Sequence, residues 1–272
     1  MKSITLNEKQ KQIFDIVTRN FKHVPANKYE KIRINDNGLL LVLYDSGKLV
    51  YNEGILSDKI INILKKYDMS NDYDMVIGSD ETGKGEWYGP LVTVATAIDS
   101  NKRSDLEKIN VKDSKKIPLE DIKKLYNKIQ SLNIDYSALV LKPIEYNKIY
   151  SEFKSEGKNL NHLLAYTHRK VIEDLIDNSK KTLVVIDKFD SYKMNDELEY
   201  INLDNVSILQ ESNAEKWTSV ATSSIIAKYL FEKCVMDLSK EYNINLRKNK
   251  PNKINKNILN YVAKTHFKNV KR

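Results

Sequence analysis

The sequence predicts an α/β fold, one central mixed sheet flanked by helices, preceded by a small α+β domain at the N-terminus. Three observations carry this. From Met75 onward, short apolar strand-like runs alternate with long helical stretches. Before Met69, three short strand-like runs lie between two amphipathic helical stretches. Between the two regions, Met69-Ser70-Asn71-Asp72-Tyr73-Asp74 is short and polar and marks a boundary. The domains drawn in this way are residues 1–70 and 75–272.

Ile13, Ile16, Val17 and Phe21 recur at helical spacing over residues 6–21, with Thr5 or Asn7 as the cap, so an amphipathic helix opens the chain. Residues 29–34, 39–44 and 49–51 are strand-like and are split by Asn35-Asp36-Asn37-Gly38 and Asp45-Ser46-Gly47, which makes a β-meander. Ser57 heads a second helix reaching about Tyr67. The unit is about the size at which a domain just folds alone. In the second region, strands are expected at 75–79, 91–98, 135–141, 182–187 and 206–210, and helices at 118–132, 159–178, 217–241 and 254–266.

Over 272 residues, 41% hydrophobic and 30% charged composition with only 8 Gly and 5 Pro excludes collagen-like, low-complexity and wholly disordered chains. No apolar run approaches the about 18 residues of a membrane span, and the first residues lack a secretory signal, so no membrane association and a cytoplasmic location are expected. The single Cys234 permits no internal disulfide and no thiolate zinc site. The net charge is +8, from 45 Lys and Arg against 37 Asp and Glu. Residues 240–272 carry 10 of the basic residues, Lys264 among them, against one acid, Glu241. A phosphate-bearing partner and a merely solvated tail both fit that surplus. No obligate protein partner is evident.

The chemistry concentrates in Gly78-Ser79-Asp80-Glu81-Thr82-Gly83-Lys84-Gly85-Glu86-Trp87-Tyr88-Gly89-Pro90. Gly78 to Lys84 satisfies the G-x-x-x-x-G-K spacing of a phosphate loop. Three features argue against that reading. Gly85 stands where a hydroxyl must reach magnesium, Asp80 and Glu81 would face the phosphates, and a strand rather than a helix follows Gly89-Pro90. The alternative makes the acids the point. Adjacent carboxylates at the end of a buried strand are costly unless a cation neutralises them, and hard cations such as Mg²⁺ take oxygen ligands. Two-metal sites draw carboxylates from several chain positions. Asp187 closes Leu183-Val184-Val185-Ile186, Glu215 precedes a helix rich in small residues, and Asp113 heads Asp113-Ser114-Lys115-Lys116. A pure nucleic-acid binder has no use for a carboxylate pair beside a basic surface.

Asp80-Glu81-Thr82-Gly83-Lys84-Gly85 resembles the D-E-x-G-x-G signature of type 2 ribonucleases H. Gly89-Pro90, Asp113-Ser114-Lys115-Lys116, Val185-Ile186-Asp187 and the small-residue helix at 219–228 resemble later blocks of that family in the same order. Within it, the extra N-terminal domain, Gly83-Lys84-Gly85 and the ending Thr265-His266-Phe267-Lys268-Asn269 are similar to ribonuclease HIII rather than ribonuclease HII. Around Tyr44-Asp45-Ser46-Gly47-Lys48 the N-terminal region resembles the TATA-binding-protein-like domain of ribonuclease HIII. One block departs. Asn213-Ala214-Glu215 stands where the family has Lys-Ala-Glu, one residue nearer to the following helix, which leaves Glu211 as the alternative fourth acid.

The resemblance implies a ribonuclease H-like catalytic domain that hydrolyses the RNA strand of RNA/DNA hybrids. It implies two Mg²⁺ or Mn²⁺ ions held by Asp80, Glu81, Asp187 and Glu215, and products with 5′-phosphate and 3′-hydroxyl ends. Gly83 and Gly85 would let the backbone approach the 2′-hydroxyl, and Lys84, Ser114, Lys115 and Lys116 would contact the substrate. A ribonuclease HII-like enzyme that also cuts single embedded ribonucleotides is the alternative. Trp87 and Tyr88 suit either stacking on substrate or core packing. His23, His162, His168 and His266 show no ligand spacing and read as surface or packing residues, as Cys234 reads as core.

Overall fold

The computed structural model describes residues 1–66, 72–109, 111 and 117–270, and divides the chain into two compact units, Met1–Tyr73 and Asp74–Arg272. In the first unit, β1 (Lys2–Thr5), β2 (His23–Val24), β3 (Glu30–Asp36), β4 (Leu39–Tyr44) and β5 (Lys48–Tyr51) form an antiparallel sheet in the order β1-β5-β4-β3-β2. The helices are α1 (Glu8–Thr18) and α2 (Ile55–Lys66). Phe14 of α1 and Ile60, Ile61 and Leu64 of α2 share a buried core with Ile34, Leu41, Leu43 and Leu49 of the sheet. Asn7 is the cap of α1. Its side chain accepts from the Gln10 amide at 2.8 Å, and the Gln10 side chain accepts from the Asn7 amide at 2.9 Å.

The predicted meander is thus the middle of a wider sheet, since β1 and β2 were not expected. Four residues of β1 and two of β2 are too few to show a period, and pairing at the sheet edges is what makes them strands (Ile4 with Leu49, His23 with Ile34).

The second unit is built on β6 (Met75–Thr82), β7 (Leu91–Ile98), β8 (Asp135–Leu141), β9 (Thr182–Asp187) and β10 (Val206–Glu211), in the order β10-β9-β6-β7-β8. β6, β9 and β10 run parallel, and β7 and β8 run antiparallel to their neighbours, so the sheet is mixed. Its helices are α3 (Ser100–Lys108), α4 (Leu119–Ser131), α5 (Pro143–Ser155), α6 (Leu160–Glu173), α7 (Ser191–Leu198), α8 (Thr218–Glu241) and α9 (Lys256–Val262). One face of the sheet packs Val92 and Val94 against Ile225, Ile226 and Phe231 of α8. The other packs Ile77, Val184 and Ile186 against Ala165 and Ile172 of α6. Helices α3, α5 and α7 were not expected. α3 buries only Leu106 and α7 only Met194 and Leu198, so neither carries an apolar stripe that a sequence pattern reveals.

Gly78 explains how closely α8 approaches β6. A Cβ there would stand 2.3 Å from the Val220 backbone nitrogen, so only glycine lets the helix lie on the strand. The Ser223 hydroxyl donates to the Gly78 carbonyl at 2.8 Å and fixes the register of helix on strand.

Candidate active site

The strand expected to end at Ser79 continues through Thr82, so Asp80 and Glu81 stand within β6, opposite Val94 and Thr93 of β7. This corrects their expected position after the strand. The pairing to β7 supplies the backbone hydrogen bonds that a loop would lack. Successive residues of a strand face opposite sides of the sheet. Gly78 and Asp80 therefore face α8, where the Ser224 hydroxyl binds the Asp80 carboxyl. Ser79 and Glu81 face α6, where His168 meets both. The two acids straddle one strand end.

Asp187 ends β9, the parallel neighbour of β6, whose Ile186 pairs with Ser79. Asp80, Glu81 and Asp187 line one cleft of about 410 Å³, together with Gly83, Lys84, Gly85 and Ser224. Such a position, outside the carboxyl ends of parallel strands, is where open α/β sheets bind ligands.

The electrostatics of the pair are unequal. Burial, then the charge of Glu81, push the Asp80 carboxyl up to about 6 against hydrogen bonds from Ser224 and the Glu81 amide. Burial also acts upward on Glu81. The hydrogen bond and field of His168, with Lys84 behind them, outweigh it and hold that carboxyl well below the ordinary range. Lys84 Nζ lies 2.7 Å from Glu81 Oε1. Among the described residues, no three His, Cys, Asp or Glu side chains are gathered closely enough to enclose an ion by themselves. The cleft instead offers carboxylate oxygens from two strand ends and a crowded negative charge felt by Asp80. That donor chemistry fits a hard divalent cation.

The fourth acid lies on a 3₁₀ turn, Ala214–Lys216, that follows β10. The Ala214 amide donates to Asp187 Oδ1 at 3.1 Å, which ties the turn to the end of β9. Glu211 pairs with Asp187 across the sheet, but its carboxylate is engaged by Lys216 Nζ at 2.7 Å and by the Trp217 indole N–H. Glu215 is half-buried on the turn and is not among the residues lining the cleft.

The two glycines beside Lys84 differ. Gly83 has φ +96°, and a Cβ there would meet the Pro90 carbonyl oxygen at 2.3 Å and the Phe231 ring at 2.8 Å. At Gly85 a Cβ would meet nothing within 4 Å. Gly83 is thus required by the fold, and Gly85 alone faces open space. Farther along, residues 262–264 pair with the loop. The Gly89 amide donates to the Val262 carbonyl at 3.1 Å and the Lys264 amide to the Trp87 carbonyl at 2.7 Å.

Two residues escaped the sequence reading. His168 is not a packing residue only: its ring is fully buried against Glu81 and Ser79. Lys264, counted in the basic tail, is fully buried, and its ammonium donates to the carbonyls of Glu86 (3.0 Å) and Tyr88 (3.2 Å). Neither carries a sequence signal, because one sits on an amphipathic helix and the other among many lysines. Tyr88 packs on Phe231 while also lining the cleft, and Cys234 is buried in the core. Asp113, Ser114, Lys115 and Lys116 lie outside the described residues.

A sequence model of the ribonuclease HII family matches residues 77–271. Ribonuclease HIII of Protochlamydia amoebophila is 35% identical over 254 residues, spanning 89% of this chain and 80% of the relative. The chain belongs to the type 2 ribonuclease H family. Ribonuclease HIII of Phytoplasma mali is 32% identical over 256 residues, spanning 87% of this chain and 85% of its own. In fold, the chain is similar to Bst-RNase HIII solved in complex with Mn²⁺, with a TM-score of 0.66 at 21% identity over 99% of this chain and 96% of that one. Aquifex aeolicus RNase H3 gives 0.59 at 22% identity, covering 97% and 99%. The ribonuclease HIII likeness thus extends across both units, including the first, which the family model does not reach.

Proposed function

We propose that Asp80, Glu81, Asp187 and Glu215 are the acids with which this ribonuclease H holds two Mg²⁺ or Mn²⁺ ions, and that residues 1–70 form a TATA-binding-protein-like platform for its substrate. The activity comes with the family: metal-dependent endonucleolytic hydrolysis of the RNA strand of RNA/DNA hybrids, leaving 5′-phosphate and 3′-hydroxyl ends. The observation that carries the site is the straddling pair Asp80 and Glu81 sharing a cleft with Asp187, with the Asp80 carboxyl pushed up to about 6 by burial and its neighbour's charge. When bound, two such ions supply activation of the attacking water and stabilisation of the leaving 3′-oxygen in an in-line displacement. The choice of Glu215 over Glu211 is supported by the turn that carries it, which the Ala214 amide ties to Asp187 Oδ1.

The remaining work falls to the chain itself. Gly85 leaves the backbone open to approach by a 2′-hydroxyl, the group that distinguishes RNA from DNA. Lys84, nearly half exposed at the cleft, is a phosphate contact once it leaves Glu81. Gly83 shapes the loop that presents both. Ser114, Lys115 and Lys116 join the substrate contacts on the resemblance alone. In the first unit, strand alternation places Asn35, Leu40, Tyr44, Lys48 and Val50 on the sheet face opposite the core, beside an Arg33 that is ion-paired with Glu30, a mixed polar and apolar surface that supports a role in meeting a nucleic-acid backbone. The compartment is the cytoplasm, in keeping with a free, buried Cys234 and with no helix among the described residues long and apolar enough to cross a membrane.

The test is a gel assay of end-labelled duplexes with Mn²⁺, Mg²⁺ or chelator. A hybrid, and a DNA duplex with four or more embedded ribonucleotides, should be cut within the RNA when a cation is present. A duplex with one embedded ribonucleotide should be cut far more slowly, because a single 2′-hydroxyl offers the loop too few contacts. Comparable rates on one and four ribonucleotides would assign ribonuclease HII-like specificity instead. Cation-independent cleavage would overturn the metal site.

A further inference from the structure

We propose that His168 is a positioning residue for Glu81, and that its Nε2–H sets how tightly the cleft binds a divalent cation. The inference rests on the metal-site reading above and goes beyond its four acids. His168 lies on α6, and its ring is fully buried. Nε2 stands 3.1 Å from Glu81 Oε2 and Nδ1 2.7 Å from Ser79 Oγ, so β6 grips the ring at both ends through two residues of one strand face. Phe189 stacks on the ring face, with centroids 5.4 Å apart and planes at 25°. The helix itself is tied to the sheet next door, where Thr93 donates to Thr167 at 2.9 Å.

Proton accounting gives this arrangement a direction. An ionised carboxylate only accepts, so Nε2 must carry a hydrogen and donate it to Glu81. Ser79 has one proton and two acceptors in reach, Nδ1 and the Val94 carbonyl at 3.1 Å, so the buried hydroxyl anchors the far end of the ring whether Nδ1 accepts from it or carries a proton of its own. Glu81 Oε2 is thereby fixed on the buried side. Oε1 is held by Lys84, whose side chain is 47% exposed, so it is the oxygen that a neighbouring cation can claim. A carboxylate locked in one rotamer loses less entropy on binding an ion. Hydrogen-bonded partners behind metal ligands typically contribute about 10–100-fold in affinity or activity. Packing alone would require a ring at position 168. Positioning requires the N–H as well.

The experiment measures Mn²⁺ binding to the full-length protein without substrate, by electron paramagnetic resonance titration, beside the Mn²⁺ concentration for half-maximal cleavage and the KM for hybrid. His168→Phe keeps a ring on Phe189 and removes both hydrogen bonds. It should weaken Mn²⁺ binding about 10–100-fold while leaving the hybrid KM within about twofold. His168→Gln, which keeps a donor of similar reach toward Glu81, should recover most of the affinity. Adding His168→Phe to Glu81→Gln should cost little beyond Glu81→Gln alone, since the effect passes through that carboxylate. If His168→Phe does not fold, Ser79→Ala removes only the far anchor, and it should still weaken Mn²⁺ binding. Unchanged affinity in the folded variant, or equal weakening in Phe and Gln, would overturn the inference while wild-type binding upholds the metal site. Wild-type protein that binds no Mn²⁺ would overturn both.

Discussion

Gly83 and Gly85 flank Lys84, yet one added methyl group has opposite consequences at the two positions. Gly83→Ala places a side chain at φ +96° and against Pro90 and Phe231, so it should destabilise the protein by about 2–4 kcal/mol in thermal or denaturant unfolding. Gly85→Ala meets open space and should leave the melting temperature nearly unchanged. If Gly85 is where the backbone approaches the 2′-hydroxyl, Gly85→Ala should nevertheless lower kcat/KM on hybrid. Normal turnover there would remove the loop from substrate reading. Neither difference is legible in the sequence, where both glycines belong to one motif. The acids stood out in the sequence because adjacent carboxylates on an apolar strand have few uses besides a cation, and their role as ligands remains the proposal made above. His168 did not, because a histidine on a helix has many uses, and only the fold shows Ser79 and Glu81 on its two nitrogens.

At the scale of elements, the C-terminal segment acts as a backing strip for the loop that follows β6. Val262 and Lys264 pair with Gly89 and Trp87, and the Lys264 amine satisfies two more carbonyls of the loop. Burial lowers the Lys264 amine to about 7 from an ordinary 10.5, against the weaker upward pull of Glu86 and Cys234. The folded group is depressed relative to the unfolded one, so between about pH 7 and 10.5 the unfolded chain holds a proton that the folded chain has lost. Its contribution to stability therefore rises with pH across that window, by at most about 1.4 kcal/mol per pH unit, and is lost as pH falls toward 7. Denaturant unfolding of wild type and Lys264→Met at pH 7 and pH 9.5 checks this: the wild type should gain stability relative to the variant on going to pH 9.5. Parallel pH dependence in the two proteins would contradict it. The longer elements were readable because their apolar period is long, as in α8 and β9. α3 and α7 were not, since each owes its place to one or two buried residues.

For the whole molecule, the sequence pattern changes across the polar stretch at 69–74, and the chain divides into two compact units between Tyr73 and Asp74. What composition left open was the destination of the charge, since Lys264 shows that a lysine in a basic tail need not face solvent. The first unit carries 12 Lys and Arg against 8 Asp and Glu over residues 1–70, and none of the four proposed acids. A chain beginning at Asp74 should keep cleavage but bind hybrid more weakly, with a shallower dependence of affinity on salt, because fewer phosphate contacts release counterions. Fluorescence anisotropy across a salt series measures both quantities, and equal affinity and slope in the two proteins would remove the substrate-holding role.

The straddling acids of β6 and the end of β9 are proposed to form the metal-dependent catalytic site. Single-turnover cleavage of a labelled RNA/DNA hybrid by Asp80→Asn at saturating Mg²⁺, beside its hybrid affinity, tests this most directly. The substitution removes a buried charge and little of the shape. Cleavage should fall by at least about 10³-fold, in line with loss of several kcal/mol of transition-state stabilisation, while hybrid affinity stays near wild type. Cleavage at the wild-type rate would remove Asp80 from the metal site.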